Sequence, residues 1–154
     1  MKIEQLIGNE ALLELKKSAF LCSRSIPATV VLKCYDWAIA QREAGHCIIS
    51  GFHSQLEKDV LHFLLKGNQP IIIALARGLK VKIEPELIKP MAQGRILIIS
   101  PFDVQVKRVT EQTAEIRNAM MIQLADEVTV GYASAGGKLE NLLKTTDKTI
   151  HRLV

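Results

Sequence analysis

The side chains best able to do chemistry fall in five short stretches, each following an apolar run. They are Ser23-Arg24-Ser25, Ser50-Gly51-Phe52-His53-Ser54, Arg77-Gly78-Leu79-Lys80, Pro101-Phe102-Asp103 and Ser134-Ala135-Gly136-Gly137-Lys138. Hydroxyls, glycine amides and cations grouped in this way suit an anion, since backbone N–H groups and positive side chains both meet phosphate oxygens. The second stretch is the sharpest. Ser54 and Glu57 have capping-box spacing, so a helix should start at Gln55 with its first turn tied to its cap. Gly51 before it allows a tight turn and a close backbone approach. Lys82, Lys107 and Arg108 add to Arg24, Arg77, Lys80 and Lys138, against Asp103 and Glu84. The expectation is a basic rim, with Phe52 and Phe102 placed to stack on a base.

Other chemistries find no support. Gly131 lies one residue too early to begin a P-loop ending in Gly137-Lys138, and Leu139 stands where the Mg-binding hydroxyl would be. No dinucleotide fingerprint follows the first apolar run, and no nucleophile elbow occurs. His46, His53, His62 and His151 have no partner at metal-ligand spacing. Cys22, Cys34 and Cys47 form no Cys-x-x-Cys, and Cys22 reads as a small packed residue at a strand end. Trp37 and Tyr35 read as packing residues of a long helix. No catalytic group, metal or cofactor is therefore expected, and the reading leans away from an enzyme.

The elements that must carry these stretches are legible. The runs Ala19-Phe20-Leu21-Cys22, Cys47-Ile48-Ile49, Ile71-Ile72-Ile73-Ala74-Leu75, Ile96-Leu97-Ile98-Ile99 and Val128-Thr129-Val130 do not alternate. Strands covered on both faces of a parallel sheet have this pattern. Amphipathic helices are expected over residues 27–44, 55–65, 86–93, 111–125 and 138–144, and a further helix over residues 3–17. Residues 149–154 fit either an edge strand or a tail. Strand and helix in alternation predict a doubly wound α/β domain, a mostly parallel sheet of five or more strands flanked by helices. In such a sheet ligands bind outside the carboxyl ends of the strands, where the five stretches lie.

Composition agrees. The 154 residues are 48% apolar and 23% charged, an ordinary globular balance that suits one domain over residues 1–154. The formal net charge of +4 permits a polyanionic partner. The start Met1-Lys2-Ile3-Glu4 has no apolar signal region, and no run is long enough for a membrane span. A cytoplasmic protein, with a homo-oligomer open, is the expectation.

From Ser18 to Leu143 the ordered motifs resemble the Rossmann-like core of the DNA-processing protein A (DprA, or Smf) family. That core shares a superfamily with the cytokinin-activating phosphoribohydrolases. The family's first core strand ends in Gly-Ser-Arg or similar, and Cys22-Ser23-Arg24 stands there. Its second ends in Ser-Gly, matched by Ser50-Gly51. A helix beginning Arg-Asn precedes its fifth strand, matched by Arg117-Asn118. A small-residue loop follows that strand, matched by Ser134-Ala135-Gly136-Gly137-Lys138. The second loop departs from the family's Ala-x-Gly-Ile-Asp type sequence and reads Phe52-His53-Ser54-Gln55-Leu56-Glu57.

The resemblance implies single-stranded DNA binding in DNA processing, uptake (transformation) or recombination, by a core standing without further helical or winged-helix domains. Arg24, Arg117 and Lys138 would contact phosphates. The Gly51 and Gly136 loops would approach the backbone, with Ser23, Ser50, Phe52, His53, Asn118, Ser134 and Gly137 completing the site. The alternative is a sensor or enzyme for a nucleotide-derived small molecule in the same crevice, and a third reading is an interaction module. The Gly-Gly-x-Gly-Thr and Pro-Arg-x-x-x-Asp elements of the phosphoribohydrolases are absent, so that activity is not implied.

Overall fold

Seven strands form one sheet in this computed structural model, which describes residues 2–80 and 82–154. They are β1 (Gln5–Gly8), β2 (Lys17–Leu21), β3 (Cys47–Ser50), β4 (Ile71–Ala74), β5 (Ile96–Ser100), β6 (Glu127–Val130) and β7 (Ile150–Arg152). Their order is β1-β5-β4-β3-β2-β6-β7, and every pairing except β1 with β5 is parallel. The helices are α1 (Ala28–Ala44), α2 (Gln55–Leu65), α3 (Pro85–Ala92), α4 (Glu111–Leu124) and α5 (Lys138–Leu143). The expected α/β class and doubly wound parallel sheet are what the structure has.

The non-alternating runs are explained by cover on both faces. Phe20, Ile48, Ile71, Ile73, Ile96 and Ile98 pack with Val30 of α1, Leu56 of α2 and Leu87 of α3. Ala19, Leu21, Ile49, Ile72, Leu97 and Ile99 pack with Met120 and Met121 of α4 and Leu143 of α5. Phe20 also stacks on Trp37 at 4.7 Å between ring centroids, which gives Trp37 the packing role expected of it. Winding reverses at β2, which has β3 on one side and β6 on the other.

The helix expected over residues 3–17 is corrected. That segment is the edge strand β1 and a 3-10 helix, Glu10–Glu14. Gly8 sits at φ +113°, which no helix can pass through, and a Cβ there would stand 2.3 Å from the Ile96 carbonyl. Upstream of it Gln5 to Gly8 pair antiparallel with Ser100 to Leu97. Asn9 accepts from the Ala11 amide and starts the 3-10 turn. Apolar spacing alone does not separate such an edge strand from a helix. At the other end β7 resolves the open choice for residues 149–154, pairing parallel with β6.

Candidate nucleic-acid interface

The strand ends are held by their own hydroxyls. Ser50 Oγ donates to the Phe20 carbonyl at 3.0 Å and accepts from the Phe52 amide at 3.4 Å. Ser100 Oγ donates to the Arg77 carbonyl at 2.6 Å and accepts from the Phe102 amide at 3.0 Å. Across the winding reversal the Ser23 amide donates to the Tyr132 carbonyl at 2.8 Å, and the Ser134 amide to Ser23 Oγ at 3.0 Å. Each serine fixes a loop against the neighbouring strand. Ser50 is wholly buried, so the ligand contact expected of it is corrected: its hydroxyl is spent on the loop.

Below the β3 and β4 ends lies a cavity of about 460 Å³. Ile73, Leu75, Ile98 and Leu87 make its floor, and Gly51, His53, Lys58, Arg77, Lys80, Lys82 and Arg117 supply polar edges. Glu84 and Glu86 also line it, and Lys80 reaches Glu84 at 3.4 Å. A shallower hollow shares Arg77, Lys80 and Lys82 and continues to Lys107. Apolar walls beneath a cationic mouth suit a flat ring joined to a phosphate.

Arg117, expected as a phosphate contact, lines the cavity in a setting the sequence did not show. The resemblance puts Arg-Asn at a helix start, whereas Arg117-Asn118 lies in the middle of α4. From there Arg117 runs under the β3 and β4 ends with 6% exposure. Its Nη1 donates to the Ala74 carbonyl at 3.3 Å and its Nε to Asn118 Oδ1 at 2.8 Å. Asn118 thus orients Arg117. Burial lowers the guanidinium's proton affinity, and Glu57 opposes that. Glycine at position 51 is what makes room, since a Cβ there would stand 2.1 Å from Arg117 Nη1.

The capping box of α2 is present as expected. Ser54 Oγ accepts from the Glu57 amide at 3.2 Å, and Glu57 Oε1 accepts from the His53 and Ser54 amides at 3.0 Å each. That arrangement corrects the anion site expected at this turn, because the chain's own carboxylate occupies those amides. His53 remains exposed, and partial burial, followed by Arg117, pushes its imidazole below the usual value.

Three further expectations are corrected. Phe52 does not stand out on the rim: it is 5% exposed and packed with the residues facing α1–α3, and it meets the cavity only as part of its lining. It holds φ +47°, an uncommon value for a side-chain-bearing residue. Lys138 does not stand free on the rim: its Nζ bridges Glu111 at 3.1 Å and Glu115 at 3.3 Å, which raises its proton affinity. Arg24, Ser23, Ser134, Gly136, Gly137 and Lys138 do not line the cavity, so the single rim expected from the sequence is divided between the β3–β5 ends and the β2–β6 ends. Gly136 serves a turn at φ +71°, closed by the Gly137 amide on the Ser134 carbonyl at 3.0 Å. Lys58 on α2 was missed altogether, for nothing in its local pattern sets it apart from a solvated helix lysine.

No protein-family model matches the sequence. No curated protein matches it either. Solved structures do. DNA processing protein A from Helicobacter pylori superposes with a TM-score of 0.75 at 18% identity, over 96% of this chain and 69% of that one. The fold is that of the DprA core. DprA from Streptococcus pneumoniae gives 0.73 at 18% identity, over 96% of this chain and 53% of that one. The Chlamydomonas reinhardtii Moco carrier protein gives 0.50 at 9% identity over 89% of this chain. The H. pylori DprA structure is described for its mode of binding single-stranded DNA. Among the described residues no helix is long and apolar enough to cross a membrane.

Proposed function

We propose that the chain binds single-stranded DNA across the carboxyl ends of β3, β4 and β5, in a role akin to DNA processing, uptake or recombination. The observation that carries this reading is the cavity itself: apolar below, with Lys58, Arg77, Lys80, Lys82 and Arg117 around it. Phosphates would meet the cations while a base enters the apolar hollow. The likeness of fold to DprA structures supports the same reading.

Salt decides between this and unspecific contact. Each neutralised phosphate of a single strand should contribute about −0.7 to the slope of log K against log salt. For a labelled oligothymidine followed by anisotropy, the Lys80→Ala/Lys82→Ala double variant should bind more weakly and lose roughly 1.4 of that slope. An unchanged slope would place the DNA elsewhere, and no binding at low salt would end the proposal.

His53 adds a pH dependence. Its imidazole is held below its ordinary value, so it is neutral at pH 7 and gains charge as the pH falls. A phosphate nearby favours the protonated form, so DNA affinity should rise from pH 7.5 towards pH 5.5. Stability runs the other way. The unfolded chain protonates first, so His53 costs stability as pH drops below its unfolded value. His53→Gln should flatten both trends, read by anisotropy and thermal melts across that range. Retention of both slopes in His53→Gln would assign them to another group.

A further inference from the structure

All three cysteines are free thiols, and two of them meet. Cys22 follows β2, and Cys34 lies two turns into α1. A Cβ on Gly131, just past β6, would stand 2.8 Å from Cys34 Sγ and 3.0 Å from Cys22 Sγ. Both sulfurs therefore converge on one point, which only glycine leaves empty. Cys34 is fully buried, while Cys22 is partly exposed. Their closeness pulls the Cys34 thiol down and pushes the Cys22 thiol up. Cys47 takes no part: it is buried among the residues facing α4 and α5, on the other side of the sheet. An accessible sulfur backed by a buried one is the arrangement thiol–disulfide exchange uses.

We infer that Cys22 and Cys34 are a redox modification site, forming a reversible intramolecular disulfide with low-molecular-weight disulfides as oxidant. Cys22, the sulfur that reaches solvent, gives up its proton and attacks one sulfur of the reagent. The reagent's S–S bond breaks, and its other half leaves as a thiolate that takes up a proton. Cys34, losing its own proton, then attacks Cys22 Sγ in the mixed disulfide and expels the second half as a thiol. The protein loses two electrons and two protons, and one reagent disulfide becomes two thiols. The cross-link closes the segment from Cys22 to Cys34, the loop that carries Arg24 followed by the first turns of α1.

The test uses the native full chain with oxidised glutathione, followed by alkylation after unfolding, intact mass and peptide mapping. The expected product has lost two hydrogens, keeps only Cys47 alkylatable, links the Cys22 and Cys34 peptides, and reverts with dithiothreitol. Cys47→Ser should give the same linkage, and Cys34→Ser should stop at a glutathione adduct on Cys22. Wild-type protein that stops at that adduct, or keeps all three thiols alkylatable, overturns the inference. This readout is independent of DNA binding.

Discussion

Gly51→Ala should weaken single-stranded DNA binding and destabilise the fold together. The new methyl would stand 2.1 Å from Arg117 Nη1 and 2.5 Å from its Cζ. An exposed arginine would swing away at little cost. Arg117 is held by the Ala74 carbonyl and Asn118 Oδ1 in a site with 6% exposure, so moving it breaks charge-assisted hydrogen bonds or shifts the β3 loop. Overpacking of this kind costs about 1–3 kcal/mol. For a domain of this size each kcal/mol lowers Tm by roughly 2–4 °C. Thermal melts by circular dichroism and oligothymidine anisotropy should both report the loss. A variant that keeps wild-type Tm and affinity would show that the guanidinium yields freely.

Arg117→Met should lower affinity more than stability. Methionine fills much of the same buried volume and leaves Ala74 and Asn118 without a charged donor. Removing one partner leaves those buried acceptors short of a donor at a cost of about 1–3 kcal/mol, so Tm should fall by several degrees. The guanidinium's Nη2, which makes no hydrogen bond within the described residues, is the group left to meet a phosphate. Its loss should cost roughly 1.5–3 kcal/mol of binding, about tenfold to a hundredfold in affinity. The salt slope should fall by about 0.7. A large fall in Tm with unchanged affinity would make Arg117 a structural residue only.

The sheet was legible because its strands are buried on both faces. Five short runs made mostly of Ile, Leu, Val and Ala leave little else to read. The α2 start was legible because a capping box is a local code, set by residues three apart. Arg117 and Gly51 could be named, but not their contact, because they lie far apart in sequence and meet only through the order of the strands. Lys138 and Phe52 went astray for the same reason. Glu111 and Glu115 reach Lys138 from another helix, and the φ of +47° turns Phe52 inward. The segment over residues 3–17 misled because its apolar spacing fits a helix as well as an edge strand, and its partner, β5, lies some ninety residues on.

That edge strand also bears on how the chain reaches its fold. Gln5 finds its partner only at Ser100, and Ser18 finds Glu127. Ladders closed over such long loops form slowly, because the entropy of closure is spent before any contact rewards it. During synthesis Leu6 and Ile7 emerge well before β5 exists to receive them. The β3–β4–β5 parallel layer can assemble first from neighbouring segments, with β1 docking afterwards on a finished edge. The floor of the cavity therefore lies in strands paired over short stretches of chain, whereas the edge strand β1 pairs across one of the longest.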